Sequence, residues 1–410
     1  MTRKLHLFPK SNWLKGLWFI NLIAAAVFMV MMILVDAFPP QIVKYILIIL
    51  FVWMIIEELL ITARKRRWVR VIGVILSIMY IIVFGLGSYY LYSTFSVFGR
   101  LDDNSTRAAD GVDVTKDSYN VYLSGIDQWN IEKGKDLERS DVNMVATVNP
   151  ITKTVLLTSI PRDAYVKLAS SGEYDKLTHT GIYGVDETIN TVEEWLDLNM
   201  NYYAKLNFSG VVEVINAIGG VDVYSPEEFV PEKRDTITIK KGWNHLTGGE
   251  ALAFARERHS LKGGDEARVK NQQRVVKAII RKLTTSSEAL SSYPKLLDRI
   301  DKLVETNMSN REMMDIIKNE MLHMGGWKIK TQSVKGNYDM KPVASLSSAN
   351  NYSVFITDEK SVKKCLNNID KVMNPSEEEV DEILEKQYKV EQKSTLEHFA
   401  KKVVKKVKFW

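Results

Sequence analysis

Hydrophobic positions fall into two regimes along this chain. In the first, apolar residues run in blocks with no period. Trp18 to Val35 is broken only by Asn21, and Val71 to Leu91 holds no charge at all. Blocks of that length can cross a hydrocarbon core as helices. Between them, Tyr45 to Ile56 is uninterrupted before Glu57 and Glu58, so a span there requires those carboxylates near an interface. The pattern predicts a membrane anchor over residues 1–92 with three transmembrane helices, about 18–35, 41–61 and 71–91. No A-x-A-like cleavage site follows these stretches, which disfavours a signal peptide.

The second regime begins at Tyr119, after a polar stretch from Leu101 to Lys116 that reads as part of a linker over 93–116. YNVYLSGI and VNMVATV read as strands, and Asn149-Pro150-Ile151-Thr152 turns into the strand TVLLTSI, so the latter two form a hairpin. VDETINTVEEWLDL and FSGVVEVINAIGG have helical spacing, with Gly219-Gly220 as a stop. VDVYS and TITIK read as short strands, GGEALAFAR as a helix, NREMMDIIKNEML as a helix and WKIKTQSV as a strand. Alternating strands and helices predict an α/β domain over 117–373, a layered mixed sheet flanked by helices. The tail, 374–410, is charged and helical: SEEEVDEILEK is acidic, and KKVVKKVKFW is basic with two aromatics. That basic end suits an anionic membrane surface or wall polymer, and equally a solvated frayed helix.

Charge changes this picture in one respect, topology. Residues 1–70 hold ten Lys/Arg against three Asp/Glu, which leaves 45 basic and 47 acidic residues of the totals of 55 and 50 for the rest of the chain. A near-neutral folded domain excludes a nucleic-acid binder by composition. The excess sits in Arg3, Lys4, Lys10 and Lys15 and in the loop Arg64-Lys65-Arg66-Arg67, both cytoplasmic by the positive-inside rule. A multi-pass membrane protein with an extracytoplasmic C-terminal domain follows. The single Cys365 excludes an intramolecular disulfide or a multi-cysteine metal site.

Candidate chemistry concentrates in AFARERHSLKGGDEARVKNQQR, Ala253 to Arg274. In an extended segment Arg256 and Arg258 would project together. Asp265 follows Gly263-Gly264 as a candidate helix N-cap, and Arg268 and Gln272 stack four apart on the helix beyond it. Guanidinium forks suit phosphate because they donate two parallel hydrogen bonds and keep their charge when partly buried. The alternative is a solvated charged face. Asp127 lies just past one predicted strand and Asp141 just before the next; such carboxylates can share Mg²⁺ completed by substrate phosphate, or serve as turn and capping residues. Ile160-Pro161-Arg162-Asp163 places a charged pair where a third strand ends, which could equally be a structural ion pair.

The segments YLSGID, ERSDVNMVATVNPITKTVLLTSIPRDAYV, NYYAKLNFSGVVEVINAIGGVDVYSPEEF, LTGGEALAFARERH and GGDEARVKNQQRVV, which cover roughly Asn120 to Ile280, together resemble the LytR-CpsA-Psr family in order and spacing. The resemblance implies an α/β domain with a hydrophobic tunnel for a polyprenyl chain and an Arg-lined mouth for its pyrophosphate. It implies a phosphotransferase that moves a glycopolymer such as teichoic acid or capsule from a polyprenyl-pyrophosphate carrier to peptidoglycan. By position, Asp127 and Asp141 match the family's Mg²⁺-associated carboxylates. Arg139, Arg162, Arg256, Arg258, Arg268 and Gln272 match its pyrophosphate environment, with Asp265 beside them and Arg139, Arg162, Arg256, Arg258 and Asp265 in catalytic roles. Many relatives carry a further Arg where this chain has Asn271, so that contact is missing or supplied by Lys270 or Arg274. His179, in KLTHTGIYG, reads as a structural hydrogen-bonder.

A pyrophosphate diester carries two negative charges that repel an incoming hydroxyl, so Mg²⁺ and several Arg are needed to neutralise it. No Ser-His-Asp or Cys-His set stands out, which favours direct in-line transfer. Two other readings share the same residues: a hydrolase that hands the pyrophosphate to water, and a non-enzymatic polymer-binding or regulatory protein.

Overall fold

The computed structural model describes residues 12–35, 40–62, 67–101, 111–126, 139–232, 236–285, 304–322, 326–346, 350–383 and 385. The chain divides into a helical unit and a sheet-based unit.

The helical unit holds α1 (Asn12–Val35), α2 (Pro40–Thr62) and α3 (Arg67–Leu101). Among the described residues, Gly16–Val35 and Trp68–Ser93 are long and apolar enough to cross a membrane by length and composition. Most of their large side chains, Ile23, Ile33, Val83 and Leu86 among them, are exposed in the isolated chain, which a hydrocarbon solvent would cover. Helix α3 continues past the expected start of the linker to Leu101, because the residues after Leu91 contain no proline to stop it. Glu57 is not at an interface, as its sequence position required. It is buried, and it accepts hydrogen bonds from Asn21 of α1 and Ser77 of α3. The polar interruption of the first span and that of the second thus satisfy each other, which is how a polar group is tolerated between helices. The helix Asn310–Leu322 also belongs to this unit, where its Met314 is buried with Met32, Val35 and Leu91.

The sheet-based unit is built on β1 (Tyr119–Ile126), β2 (Ser140–Asn149), β3 (Thr154–Ile160), β6 (Tyr202–Asn207), β9 (Val304–Thr306) and β10 (Lys328–Ser333), in spatial order β10-β3-β2-β1-β6-β9. Pairs β1–β2, β2–β3 and β6–β9 are antiparallel, whereas β1–β6 and β3–β10 are parallel, so the sheet is mixed as expected. The β2–β3 hairpin forms where the sequence placed it, with Lys153 in the left-handed region at φ 48°. Small sheets flank it: β4 (Tyr165–Lys167) with β5 (Tyr174–Lys176), β7 (Val221–Ser225) with β8 (Gly242–Leu246), and β11 (Gly336–Lys341) with β12 (Tyr352–Thr357).

Alternation along the strands separates two cores. On one face Tyr122 and Val145 meet Ile189, Val192 and Leu196 of α4 (Val185–Leu196), and Leu156 meets Ile369 and Val372 of the last helix, α9 (Glu359–Met373). On the other, Ala146, Val155 and Leu157 pack on Val276 and Ile280 of α7 (Gly264–Thr285). Helix α5 (Phe208–Ala217) packs on α6 (Gly248–Arg256), which packs on α7, and α8 is the helix Asn310–Leu322. The expected strand TITIK makes a single bridge, Ile239 to Phe229. The next pair in that antiparallel register would bring in Pro231, which has no N–H to donate. In the tail, residues 377–383 are helical; KKVVKKVKFW lies outside the described residues.

Candidate active site

One cleft of the sheet-based unit collects the ends of several elements. Asp141 and Asn143 come from the start of β2, Ser159 to Asp163 from the end of β3, Asp265, Arg268, Val269 and Gln272 from the start of α7, and Tyr338 from β11. Helix α7 begins at Gly264, whose φ of 53° lets the chain turn sharply after Gly263. Asp265 therefore sits inside the first turn rather than at the N-cap, where its charge complements the helix dipole. Arg268 and Gln272, one helical turn apart, both line the cleft.

The charges interlock. Arg162 donates to Asp141 Oδ1 at 2.6 Å and lies 3.6 Å from Asp163, which also pairs with Lys176 at 3.2 Å. Arg268 pairs with Asp265 at 2.7 Å. Yet the Nε–H groups of both arginines are buried with no hydrogen-bond partner among the described residues. Burial alone would lower the pKa of Arg162, but Asp141, Asp163 and Asp265 overcome it and raise it. Arg268 goes the other way: burial pulls it down, Asp265 only partly offsets this, and Arg162 and Arg258 add repulsion. Arg268 is thus a half-buried cation, paired with Asp265 but repelled by Arg162 and Arg258, at a site that suits an anion.

Residues 91–371 match the LytR_cpsA_psr family. The chain belongs to that family. It is 37% identical over 256 residues, 60% of this chain and 81% of the relative, to the polyisoprenyl-teichoic acid–peptidoglycan teichoic acid transferase TagU of Bacillus cereus. It is 32% identical over 288 residues, 66% of this chain and 72% of the relative, to the corresponding TagV of Bacillus subtilis. Its fold matches the crystal structure of B. subtilis TagV with a TM-score of 0.52 at 30% identity, over 64% of this chain and 99% of that one. A structure of TagT bound to LIIa-WTA matches with a TM-score of 0.52 at 28% identity, over 66% and 96% of the two chains.

Within this LytR_cpsA_psr domain, the structure brings together Asp141, Arg162, Asp265, Arg268 and Gln272 from the sequence reading. Arg258 is exposed and reaches the group through its repulsion of Arg268. Arg256 and Arg258 do not share an extended strand: Arg256 ends α6 with its guanidinium 4.4 Å over the Phe208 ring, and the buried Glu257 between them is extended. Arg139 is exposed just before β2 and makes no hydrogen bond or ion pair among the described residues. Asp127 lies outside the described residues.

Asn271 is buried where the sequence suggested a missing phosphate contact. Its amide donates to Phe254 O, closing α6 against α7, and it accepts from Arg274 at 2.6 Å. Lys270 pairs with Glu266. Neither neighbour lines the cleft, so both expected substitutes for the extra Arg are engaged elsewhere. The paired glutamines divide their roles: Gln272 faces the cleft, whereas Gln273 is buried and ties α7 to Ser159 and to Gln332 and Ser333 of β10. His179 is structural. Its Nδ1 lies 2.7 Å from Asp175 and 2.8 Å from Ser345, so both of its hydrogen-bond partners among the described residues meet one ring nitrogen.

Sequence reasoning did not reach Tyr338, Asn143 or Ser159. Asn143 accepts hydrogen bonds from Tyr122 and Ser140, and Ser140 also bonds Ser124 at 2.8 Å. This buried network fixes the start of β2 and hence Asp141. Its members are single polar residues inside apolar strands, a signal that exists in the sequence but points to no particular chemistry.

The donor set also bears on Mg²⁺. Asp141, Asp163 and Asp265 give the cleft hard oxygen donors, and Asp141 keeps Oδ2 free of hydrogen bonds among the described residues. Among those residues no cluster of three metal-ligating side chains is close enough to hold an ion unaided. The described carboxylates fit a hard cation only where substrate phosphate completes its shell.

Proposed function

We propose that this protein moves a glycopolymer from a polyprenyl-pyrophosphate carrier to peptidoglycan, at the outer face of the cell membrane, anchored there by several N-terminal spans. The observation that carries the reading is the pair of buried Nε–H groups on Arg162 and Arg268 that make no hydrogen bond among the described residues, that of Arg162 lying 3.6 Å from Asp163, in a cleft where further arginines crowd Arg268. Those donors fit the oxygens of a pyrophosphate. The named activity of the TagU and TagV relatives supports the same substrate class.

In the reaction a sugar hydroxyl of peptidoglycan attacks the phosphorus that bears the glycopolymer. The bond from that phosphorus to the bridging oxygen breaks, polyprenyl phosphate leaves, and a phosphodiester remains. Arg162 and Arg268 hold non-bridging oxygens, and Gln272 adds a neutral donor. Arg258, which repels Arg268, would take up charge on the leaving phosphate, and Arg139 and Arg256 would add to the same positive field. A carboxylate of the cleft, Asp141 or Asp265, accepts the hydroxyl proton. Asp127 and Asp141 would hold Mg²⁺, which when bound neutralises the diphosphate.

The test is product analysis with the purified full chain and a short polyprenyl-pyrophosphate-linked saccharide. Saccharide joined to added peptidoglycan fragments, stimulated by Mg²⁺ and lost in EDTA, is the expected result. Release of free saccharide phosphate at the same rate with or without acceptor would identify a hydrolase instead, and turnover indifferent to EDTA would remove the metal.

A further inference from the structure

Tyr338 is the one aromatic side chain lining the arginine cleft among the described residues, and it does so from a strand that carries no other part of the site. Its ring is more than half exposed, and its hydroxyl makes no hydrogen bond among the described residues. Exposure does not make it loose. The ring rests edge-on against Phe355 across the β11–β12 pair, with centroids 5.2 Å apart and planes at 82°. Phe355 in turn donates its backbone N–H to Asp163 O at 2.7 Å and bridges to Ala164. The hairpin is fastened a second time where Tyr165 donates to Pro342 O at 2.9 Å. Tyr338 is therefore held in fixed relation to the Arg162-Asp163 segment. Met340, two residues on and also exposed, continues the same strand face.

A rigid, exposed aromatic beside a charged centre marks a binding contact rather than a core residue. Charge decides what it binds. Tyr338 shares the cleft with the carboxylates of Asp163 and Asp265 as well as with Arg162 and Arg268. A diphosphate belongs to the guanidinium groups, which leaves the ring face and the carboxylates to the other substrate. An uncharged pyranose fits: its C–H face suits an aromatic ring and its hydroxyls donate to carboxylates.

We propose that Tyr338 is the platform for a pyranose ring of the acceptor glycan, which stacks on the phenol so that a ring hydroxyl points to the Asp163–Asp265 side of the cleft. The identification of that sugar as the acceptor rests on the phosphotransferase reading above. The platform makes Tyr338 a specificity residue that separates the neutral acceptor from the charged donor.

The experiment titrates an uncharged N-acetylglucosamine tetrasaccharide, and separately inorganic pyrophosphate, into the full-length protein in detergent by calorimetry. Tyr338→Ala should weaken the tetrasaccharide about five- to tenfold, and Tyr338→Phe should stay within about twofold of the parent, since the ring face carries the contact. Pyrophosphate affinity should be the same in all three. An Ala variant that binds the sugar as the parent does, a parent that binds no sugar, a Phe variant as weak as Ala, or a parallel loss of pyrophosphate affinity would each overturn the platform. Absence of glycopolymer transfer by the parent would overturn the phosphotransferase reading alone, leaving this titration to decide Tyr338.

Discussion

At the scale of single residues, the geometry of a guanidinium group matters more than its charge. Arg268 is the most constrained case: one amino group is committed to Asp265, its Nε–H is buried without a partner, and burial together with Arg162 and Arg258 depresses its pKa. Lysine keeps the charge and has three rotatable donors, but it lacks the rigid planar fork that sets two of them in parallel. Arg268→Lys should fold normally and lose on the order of a hundredfold in transfer rate, the cost of one misplaced transition-state donor. Near-parental rates in steady-state kinetics would reduce the cleft to a structural ion network. Asp175 makes a different prediction, about stability. Burial opposes its ionisation, but hydrogen bonds from His179, from Ser345 and from the backbone win and hold its pKa below the ordinary value of 3.8. A carboxylate depressed on folding stabilises the native state above its unfolded pKa, and that contribution is lost as pH falls through the folded one. Asp175→Asn should lower the melting temperature at neutral pH, and the gap to the parent should narrow below about pH 4. A gap that stays constant down to acid unfolding would show that the ionised form plays no part. These two sites were unequally legible. Arg268 stood in a motif of forked donors, whereas the Asp175–His179–Ser345 tie joins segments far apart in sequence and only the fold brings Ser345 to the histidine.

Elements were legible in proportion to the continuity of their apolar pattern. Strands β1 and β3 match the sequence reading residue for residue, because each is a buried run bounded by turn residues. The pair β11–β12 escaped it. GNYDMK is largely exposed on both faces, so no alternation marks it, and the residue of the cleft that it carries, Tyr338, went unseen with it. β8 was missed for the same reason, its pattern being half-buried at best until Leu246. Close approach between elements leaves a different mark. Gly248 opens α6 against the backbone of α5, where an added Cβ would lie 2.1 Å from Val212 O, and its N–H donates to Asn216 at 2.8 Å. Backbone cannot yield as a flexible side chain does, so Gly248→Ala forces α5 and α6 apart. That shift would carry Arg256 off Phe208 and loosen Asn271 from Phe254 O. The expected loss is about 2–4 kcal/mol of stability, measured by denaturant unfolding of the exported domain within the full chain, with transfer falling more than the folded fraction explains. A variant as stable as the parent would mean that the helices have room to part.

For the whole molecule the open quantity is which side of the membrane each loop occupies, and two independent features converge on one arrangement. The first is electrostatic: basic residues precede α1 and fill the short connection between α2 and α3, as cytoplasmic segments do. The second is packing. Met314 of α8, which comes from far beyond the last span, is buried with Val35 at the end of α1 and Leu91 late in α3. Those two ends therefore lie on the same side as residues 310–322. The expectation that follows is that α1 runs outward, α2 returns and α3 runs outward again. The buried Glu57, bonded to Asn21 and Ser77, ties α2 to both neighbours. A reporter active only outside the cell should be active when fused after Asp103 and inactive when inserted at Lys65. Replacing Arg64, Lys65, Arg66 and Arg67 with neutral residues should weaken that contrast, because it removes the charge that retains the loop inside. Activity at Lys65 in the unaltered chain would invert the arrangement, place the arginine cleft in the cytoplasm, and separate it from any peptidoglycan acceptor.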